Sequence, residues 1–288
     1  VGQLGERDGI YPWKDQAVGV HEPRQTILSP RLRPGDRVRI VSPASPPNRD
    51  DVDRGVDLLT SWGLHAEVGD HVFGQWGYMA GTDEERASDL NAAFRDPGIR
   101  AIVTARGGKG AYRIVDDLDF DAIRADPKPL VGFSDITHLH LALQARCGLA
   151  SLHGPFANWS DMWCGPTSAD RLRRALMTAD PVVLQRDETE VTAAVTVDGT
   201  ATGMLIGGNL DAIRTETGAG LPNLNGAILF IEHVKGTGLG EVDRALTQLT
   251  PFRRARRYPR NRHWAVPKVR AGKAGLTQRR LGNHRCAA

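Results

Sequence analysis

Along the first half of the chain the apolar positions switch repeatedly between short continuous runs and helical spacing. A turn at Arg33-Pro34-Gly35-Asp36 feeds the run Arg37 to Ser42, and Pro43 to Pro47 ends it, which predicts a strand. Asp50 or Asp51 can cap a helix carrying Val52, Val56, Leu59 and Trp62 on one face as far as Gly63, with a short strand near His65 to Val68. Thr82-Asp83-Glu84-Glu85 fits a capping box, opening a helix whose buried face is Ala87, Leu90, Ala93 and Phe94. Asp96-Pro97-Gly98 stops it. The strands Ile99 to Ala105, Leu130 to Gly132 and Leu149 to Leu152 follow, with a helix from about Asp135 to Arg146 before the last. Alternation sustained over about 120 residues predicts an α/β protein with a parallel sheet covered on both faces.

One stretch stands out, Val103 to Leu118. Its apolar run passes through Arg106-Gly107-Gly108-Lys109-Gly110-Ala111 into apolar positions at Ala111, Ile114, Val115 and Leu118. Helical spacing directly after a strand, with glycines at the corner, predicts a strand-to-helix elbow with Ala111 as the first helical residue. Elbows of this kind bring free amides to the carboxyl edge of a parallel sheet, where anions and developing oxyanions are held. In hydrolases of this build the first helical residue is the nucleophile, and alanine has no nucleophilic atom.

The pattern changes after His153-Gly154-Pro155. Residues 154 to 168 are rich in Gly, Pro and aromatic side chains, as suits a linker or a substrate-facing loop. A short helix near Ala169 to Met177 is followed by strand-like runs at Val182 to Gln185, Val191 to Val197 and Gly203 to Ile206. Ala227 to Glu232 is an apolar strand ending in a carboxylate, and Leu239 to Leu249 returns to helical spacing. The expected organisation is an extension over residues 1–30, an α/β N-terminal domain over 31–165, a partial, smaller β-rich C-terminal domain over 166–250, and a basic tail over 251–288.

Composition alters the picture in one respect. The formal net charge of +3 conceals a strong asymmetry, because residues 251–288 hold 12 Lys and Arg and no Asp or Glu. The preceding 250 residues therefore set 25 basic against 34 acidic side chains, so the overall basicity says nothing about nucleic-acid binding by the body. Three widely spaced cysteines suggest neither a disulfide framework nor a metal site. No apolar run approaches the roughly 20 residues that span a bilayer, and no secretory signal pattern opens the chain, so a cytoplasmic location is expected.

Taken singly, the elbow glycines fit neither a Walker A loop nor a G-x-G-x-x-G fingerprint. Taken in order, several motifs carry more. Gly81-Thr82-Asp83-Glu84-Glu85-Arg86, the elbow from Arg106 to Arg113, Gly132-Phe133-Ser134-Asp135-Ile136-Thr137, His153-Gly154-Pro155, Gly207-Gly208-Asn209-Leu210 and the strand ending at Glu232 together resemble the LD-carboxypeptidase and microcin-immunity family of serine peptidases. The likeness runs from about Leu32 to Leu249. It implies a glutamine-amidotransferase-like N-terminal sheet, a smaller β-rich second domain that looks truncated, and a Ser-Glu-His triad at their junction. It also implies hydrolysis of an amide near the C-terminus of a murein-type peptide or peptidyl-nucleotide antibiotic, hence peptidoglycan recycling or microcin immunity, without metal or organic cofactor.

Carried over residue by residue, the family's nucleophile falls on Ala111 and its glutamate on Glu232. Its histidine would lie some 70 residues beyond Glu232, past the end of this sequence. The resemblance therefore implies a weakly active or inactive member, a pseudoenzyme, with a non-catalytic peptide- or ligand-binding protein as the alternative. Gly108 and Tyr112 are the expected oxyanion amides, and Lys109 is a candidate partner for a substrate carboxylate. Ser134 reads as a helix cap, His153 and His233 as structural, and Asn158, Trp159 and Trp163 as pocket or packing residues. Expected partners are a small peptide or aminoacyl-nucleotide, no membrane, and nucleic acid only through the tail, with a homodimer left open. The tail itself matches nothing in the family. A disordered basic arm, a natural truncation and a reading-frame shift near Thr250 all remain open, and poor order from about Arg253 is expected.

Overall fold

The computed structural model describes residues 25–155, 157, 165–185, 189, 199–233 and 237–254, the last five without their side chains. Five strands, β1 (Arg37–Val41), β2 (His65–Val68), β3 (Ile99–Thr104), β4 (Leu130–Gly132) and β5 (Leu152–His153), form one sheet in the order β2-β1-β3-β4-β5. Every neighbouring pair is parallel. The helices α1 (Arg49–Ser61), α2 (Asp83–Arg95), α3 (Phe120–Ala125), α4 (Thr137–Cys147) and α5 (Pro166–Met177) cover it.

Alternation along the strands sends side chains to two separate cores. Val41, Ile99, Ile102 and Leu130 pack with Leu90, Phe94, Ile114 and Leu139 on one face. Val38, Ile40, Val103 and Val131 pack with Val52, Leu59 and Leu172 on the other. The chain leaves β1 for β2 on one side and returns to β3 on the other. The crevice between the carboxyl ends of β1 and β3 is thus the topological switch point, where open α/β sheets hold ligands.

A smaller unit follows. Strands β6 (Leu205–Asn209) and β7 (Ile228–Glu232) pair in parallel, covered by α6 (Leu210–Thr215) and α7 (Leu239–Arg254). Ile206, Leu229, Ile231, Ile213 and Leu249 form its core, and Leu141 of α4 completes it from the larger unit. Leu205 is 65 % exposed, whereas Phe230 is 9 % exposed because it packs edge-on against His153.

Several expectations meet corrections here. The cap of α1 is Asn48, whose side chain accepts from the amides of Asp50 and Asp51, so those two lie inside the first turn. The α-helix expected from Ala111 to Leu118 is two 3-10 turns, Ala111–Arg113 and Val115–Asp117, set off from β3 by six residues. Positive φ at Gly108 and Gly110 spreads the corner over two hinges, leaving too little chain for a regular helix before α3. Residues 182–185 form no strand, and Val182, Val183 and Leu184 are exposed. Ile27, inside the expected extension, bridges in parallel to Leu149 and packs on the core. The expected strand at Val191 to Val197, the pocket candidates Asn158, Trp159 and Trp163, and the tail from residue 255 onward lie outside the described residues.

Candidate active site

The elbow sits at the switch point because the loops after β1 and β3 are stitched together there. The amide of Ser45 donates to the Gly107 carbonyl at 3.1 Å, and the Ser45 hydroxyl accepts from the Lys109 amide at 3.1 Å. Gly108 lies against that hydroxyl with φ of +113°, and a Cβ there would stand 2.2 Å from Ser45 Oγ. Only glycine satisfies both the left-handed backbone and the close approach.

Arg86 fixes the far side of the corner. Its guanidinium, fully buried, donates from Nη1 to the carbonyls of Pro43 (2.5 Å) and Gly110 (2.9 Å), and from Nη2 toward Met79 Sδ at 3.2 Å. Asp83, one turn earlier on α2, supplies its counter-charge and also binds Arg113 beyond the elbow. The capping box at Thr82 and Glu85 that starts α2 is formed as the sequence predicts, and it is what aims Arg86 inward.

Ala111 is wholly buried, and its amide donates to Asp135 Oδ2 at 2.8 Å. Asp135 follows β4 in the next loop. Burial pushes its carboxyl upward, against the Ala111 amide and the nearby charges of His138 and Lys109. His138, the second residue of α4, lies 4.0 Å from Asp135 through Nε2 and bonds Glu216 through Nδ1 at 2.5 Å. Its ring meets the edge of Tyr112. Sequence reasoning missed Asp135, His138, Glu216 and Arg86 as site residues. A carboxylate placed straight after a parallel strand was the available signal for Asp135, while the His138–Glu216 contact spans 78 residues and has no local signature.

Glu232 ends β7 opposite Asn209 of β6. Burial raises its carboxyl, offset by a hydrogen bond with the Asn209 side chain, and its Oε1 is buried with no hydrogen-bond partner among the described residues. Asn209 in turn donates its amide to Thr137 Oγ1 at 2.9 Å, two residues beyond Asp135. Glu232 and Ala111 are thereby tied to the same short stretch at the start of α4. Lys109 and Tyr112 are exposed on either side of the buried Ala111.

Of the remaining candidates, Ser134 departs from expectation. Ser134 caps nothing. It adopts φ of +60°, the one non-glycine residue with positive φ among those described, and makes the sharp bend into α4. His233 is within reach of a hydroxyl, that of Thr237 at 2.8 Å, and its other nitrogen meets Asp211 at 3.2 Å, which gives it a local bracing role. His153 is pushed down to about 3 by burial and the proximity of His140, and rests between Phe133 and Phe230. A separate groove of about 770 Å³ opens at the amino edge of the sheet beside Leu28, Leu32, Pro129 and Met177, away from this chemistry. Among the described residues no group of three or more His, Cys, Asp or Glu could hold a metal ion, and no helix is long and apolar enough to cross a membrane.

These features define a class, α/β proteins with a parallel sheet, a glycine elbow at its switch point and a small second unit that brings a carboxylate to the same edge. The N-terminal domain of LD-carboxypeptidases matches residues 38–154, and their C-terminal domain matches residues 202–255. The Streptomyces coelicolor protein SCO6489 is 39 % identical over 233 residues, covering 78 % of this chain and 73 % of that one. The murein tetrapeptide carboxypeptidase of Pseudomonas aeruginosa is 35 % identical over 221 residues, covering 74 % and 71 %. Among solved structures, MccF in complex with glutamyl sulfamoyl guanosine superposes with a TM-score of 0.67 at 25 % identity, covering 78 % of this chain and 76 % of that one. The chain belongs to the LD-carboxypeptidase family, a family of peptidases.

Proposed function

We propose that this chain carries the ligand cleft of a serine carboxypeptidase, built for an amide near the C-terminus of a murein-type peptide or an aminoacyl-nucleotide, and turns over weakly or not at all. The observation that carries the reading is Ala111: it occupies the elbow where the resemblance puts the nucleophile, it has no hydroxyl, and it is fully buried. In this reading Glu232 is the carboxylate that would orient a catalytic imidazole, which accords with its buried oxygen lacking a hydrogen-bond partner among the described residues. Gly108 and Tyr112 remain the oxyanion candidates. The Ala111 amide is not one, because Asp135 already occupies it. Murein tetrapeptide and aminoacyl sulfamoyl nucleosides are the ligands to try, since the relatives named above act on or bind them.

The test measures both binding and release of the terminal residue. Binding of either ligand with turnover far below that of an intact family member is the expected result. Rapid hydrolysis that survives Glu232→Ala would show that the triad analogy misleads. The second reading, a purely non-catalytic binding protein, predicts binding with no turnover at all.

A further inference from the structure

The smaller unit rests on α4 along one stripe. Thr137 accepts from the Asn209 amide, Leu141 enters the core of the unit, and Gln144 donates to Met204 Sδ at 3.2 Å. These positions, i, i+4 and i+7, share one face of the helix. A row of contacts along a single face holds the unit down but resists rocking about that row poorly. Two further contacts lie off the row. Phe230 meets His153 at the edge of the sheet, and Glu216 meets His138, which sits about 100° around α4 from Thr137, beside the elbow.

The contact with His138 is built at both ends. Glu216 is the C-cap residue of α6, and its carbonyl accepts from the amides of Ala219, Gly220 and Leu221, which pins the backbone from which the carboxylate projects. A Cβ at Gly220 would stand 2.7 Å from Glu216 Oε2, so glycine leaves the carboxylate its place. His138 is held between Tyr112, Asp135 and Glu216, with its side chain 7 % exposed and that of Glu216 17 %. Shielded from water, such a bond is stronger than a surface pair. At the other end of α6 the N-cap is Asn209, whose side chain bonds Glu232. The helix is thus a short lever, with Glu232 tied to one end and His138 to the other, roughly 10 Å apart. Beyond His138, Asp135 holds the Ala111 amide.

We propose that Glu216 and His138 are positioning residues: their bond sets the angle at which the smaller unit presents Glu232 to the elbow, and the elbow in turn is steadied through Asp135. The proposal rests on the cleft assignment made above and adds what holds the two sides of that cleft in register.

Amide hydrogen exchange followed by NMR reads the elbow without ligand, and calorimetry with a murein tetrapeptide reads the cleft, both on the full chain. Glu216→Ala alters only the smaller unit, yet should speed exchange of the Ala111 amide about tenfold, the value of one hydrogen bond to a charged group. It should weaken the tetrapeptide about fivefold or more, as the fraction of chains with the cleft correctly set falls. His138→Phe should do the same, whereas His138→Asn, which keeps a donor near the Nδ1 position, should stay within about twofold of the unaltered chain. The double variant Glu216→Ala/His138→Phe should lose no more than either single one. Unchanged exchange in β1 and β3 shows that the larger unit of each variant is folded. Unchanged exchange at Ala111 in Glu216→Ala overturns the proposal, as does a loss that His138→Asn shares, since that loss would come from the ring and not from the bond. Absence of tetrapeptide binding by the unaltered chain overturns the cleft assignment, and exchange at Ala111 then decides the role of the bond by itself.

Discussion

The backbone amide of Ala111 is bonded to the side chain of Asp135 at 2.8 Å, so the residue in the nucleophile position is fastened to the loop that follows the neighbouring strand. Removing the acceptor would leave a buried amide unsatisfied, at a cost of about 1–3 kcal/mol. Asp135→Ala should therefore destabilise the protein by that amount in urea unfolding. Asp135→Asn keeps an acceptor oxygen and should cost clearly less. Equal losses in the two variants would mean that the bond does not support the elbow.

Installing the missing hydroxyl should not be enough for catalysis. A serine at position 111 would sit in a fully buried site beside Asp135, a poor base for an alcohol, while His138, held at Nδ1 by Glu216, directs its Nε2 toward Asp135 at 4.0 Å. Ala111→Ser is expected to show no covalent adduct with a serine-directed phosphonate on the time scale of a working hydrolase. Mass spectrometry of the treated protein decides this, and rapid labelling at position 111 would reveal a base in reach.

Stability should fall on mild acidification. Burial pushes His140 down to about 4, and burial together with the proximity of His140 pushes His153 down to about 3, from an ordinary value of 6.5. The fold favours both neutral imidazoles, so their contribution is complete above pH 6.5. It is lost progressively as the unfolded chain takes up protons below that value, until the folded imidazoles titrate in turn. Asp135 and Glu232, both raised by burial, act with the opposite sign: their contribution is present below the ordinary carboxylate range and lost as pH rises through their folded values. Urea midpoints measured from pH 7 to pH 5 should decline, and His153→Phe should decline less steeply. Parallel slopes would remove His153 as a cause.

Two glycine substitutions should separate backbone strain from collision. Gly207 has φ of +152° and a Cβ there would stand 1.7 Å from the Phe230 carbonyl oxygen across the β6–β7 pair, whereas Gly35, with φ of +93°, has nothing within 4 Å. Gly35→Ala carries the strain alone, about 1–3 kcal/mol. Gly207→Ala must also part the strands, and should expose the smaller unit to proteolysis while the larger one resists. Similar proteolytic patterns for the two variants would contradict that geometry.

What was legible in the sequence was whatever local chemistry encodes. The runs around Val38, Ala66, Ile102 and Val131 marked four strands of the sheet, and Thr82 with Glu85 announced the start of α2 in full. The glycines of the elbow marked the corner but not its shape, because the choice between an α-helix and two 3-10 turns depends on the closures made by Ser45 and Arg86 from outside the segment. Ser134 read as a cap since serine often is one, and the strain it carries comes from the packing of α4 rather than from its own preference. The chain from Glu216 through His138 and Asp135 to the Ala111 amide joins three separate segments, and no spacing rule reaches that far.

Asn209 and Gly208 rest on Thr137, and Leu141 of the same helix fills the core of the smaller unit. A lone pair of five-residue strands is marginal at best without a surface to pack on. The order of assembly follows. As the polypeptide leaves the ribosome from its N-terminus, the five-stranded sheet and α4 are in place before β7 has been synthesised, so the elbow and its Asp135 anchor form first and template the remainder. Damage to α4 would then act twice, loosening the elbow and depriving the later strands of a surface on which they fold.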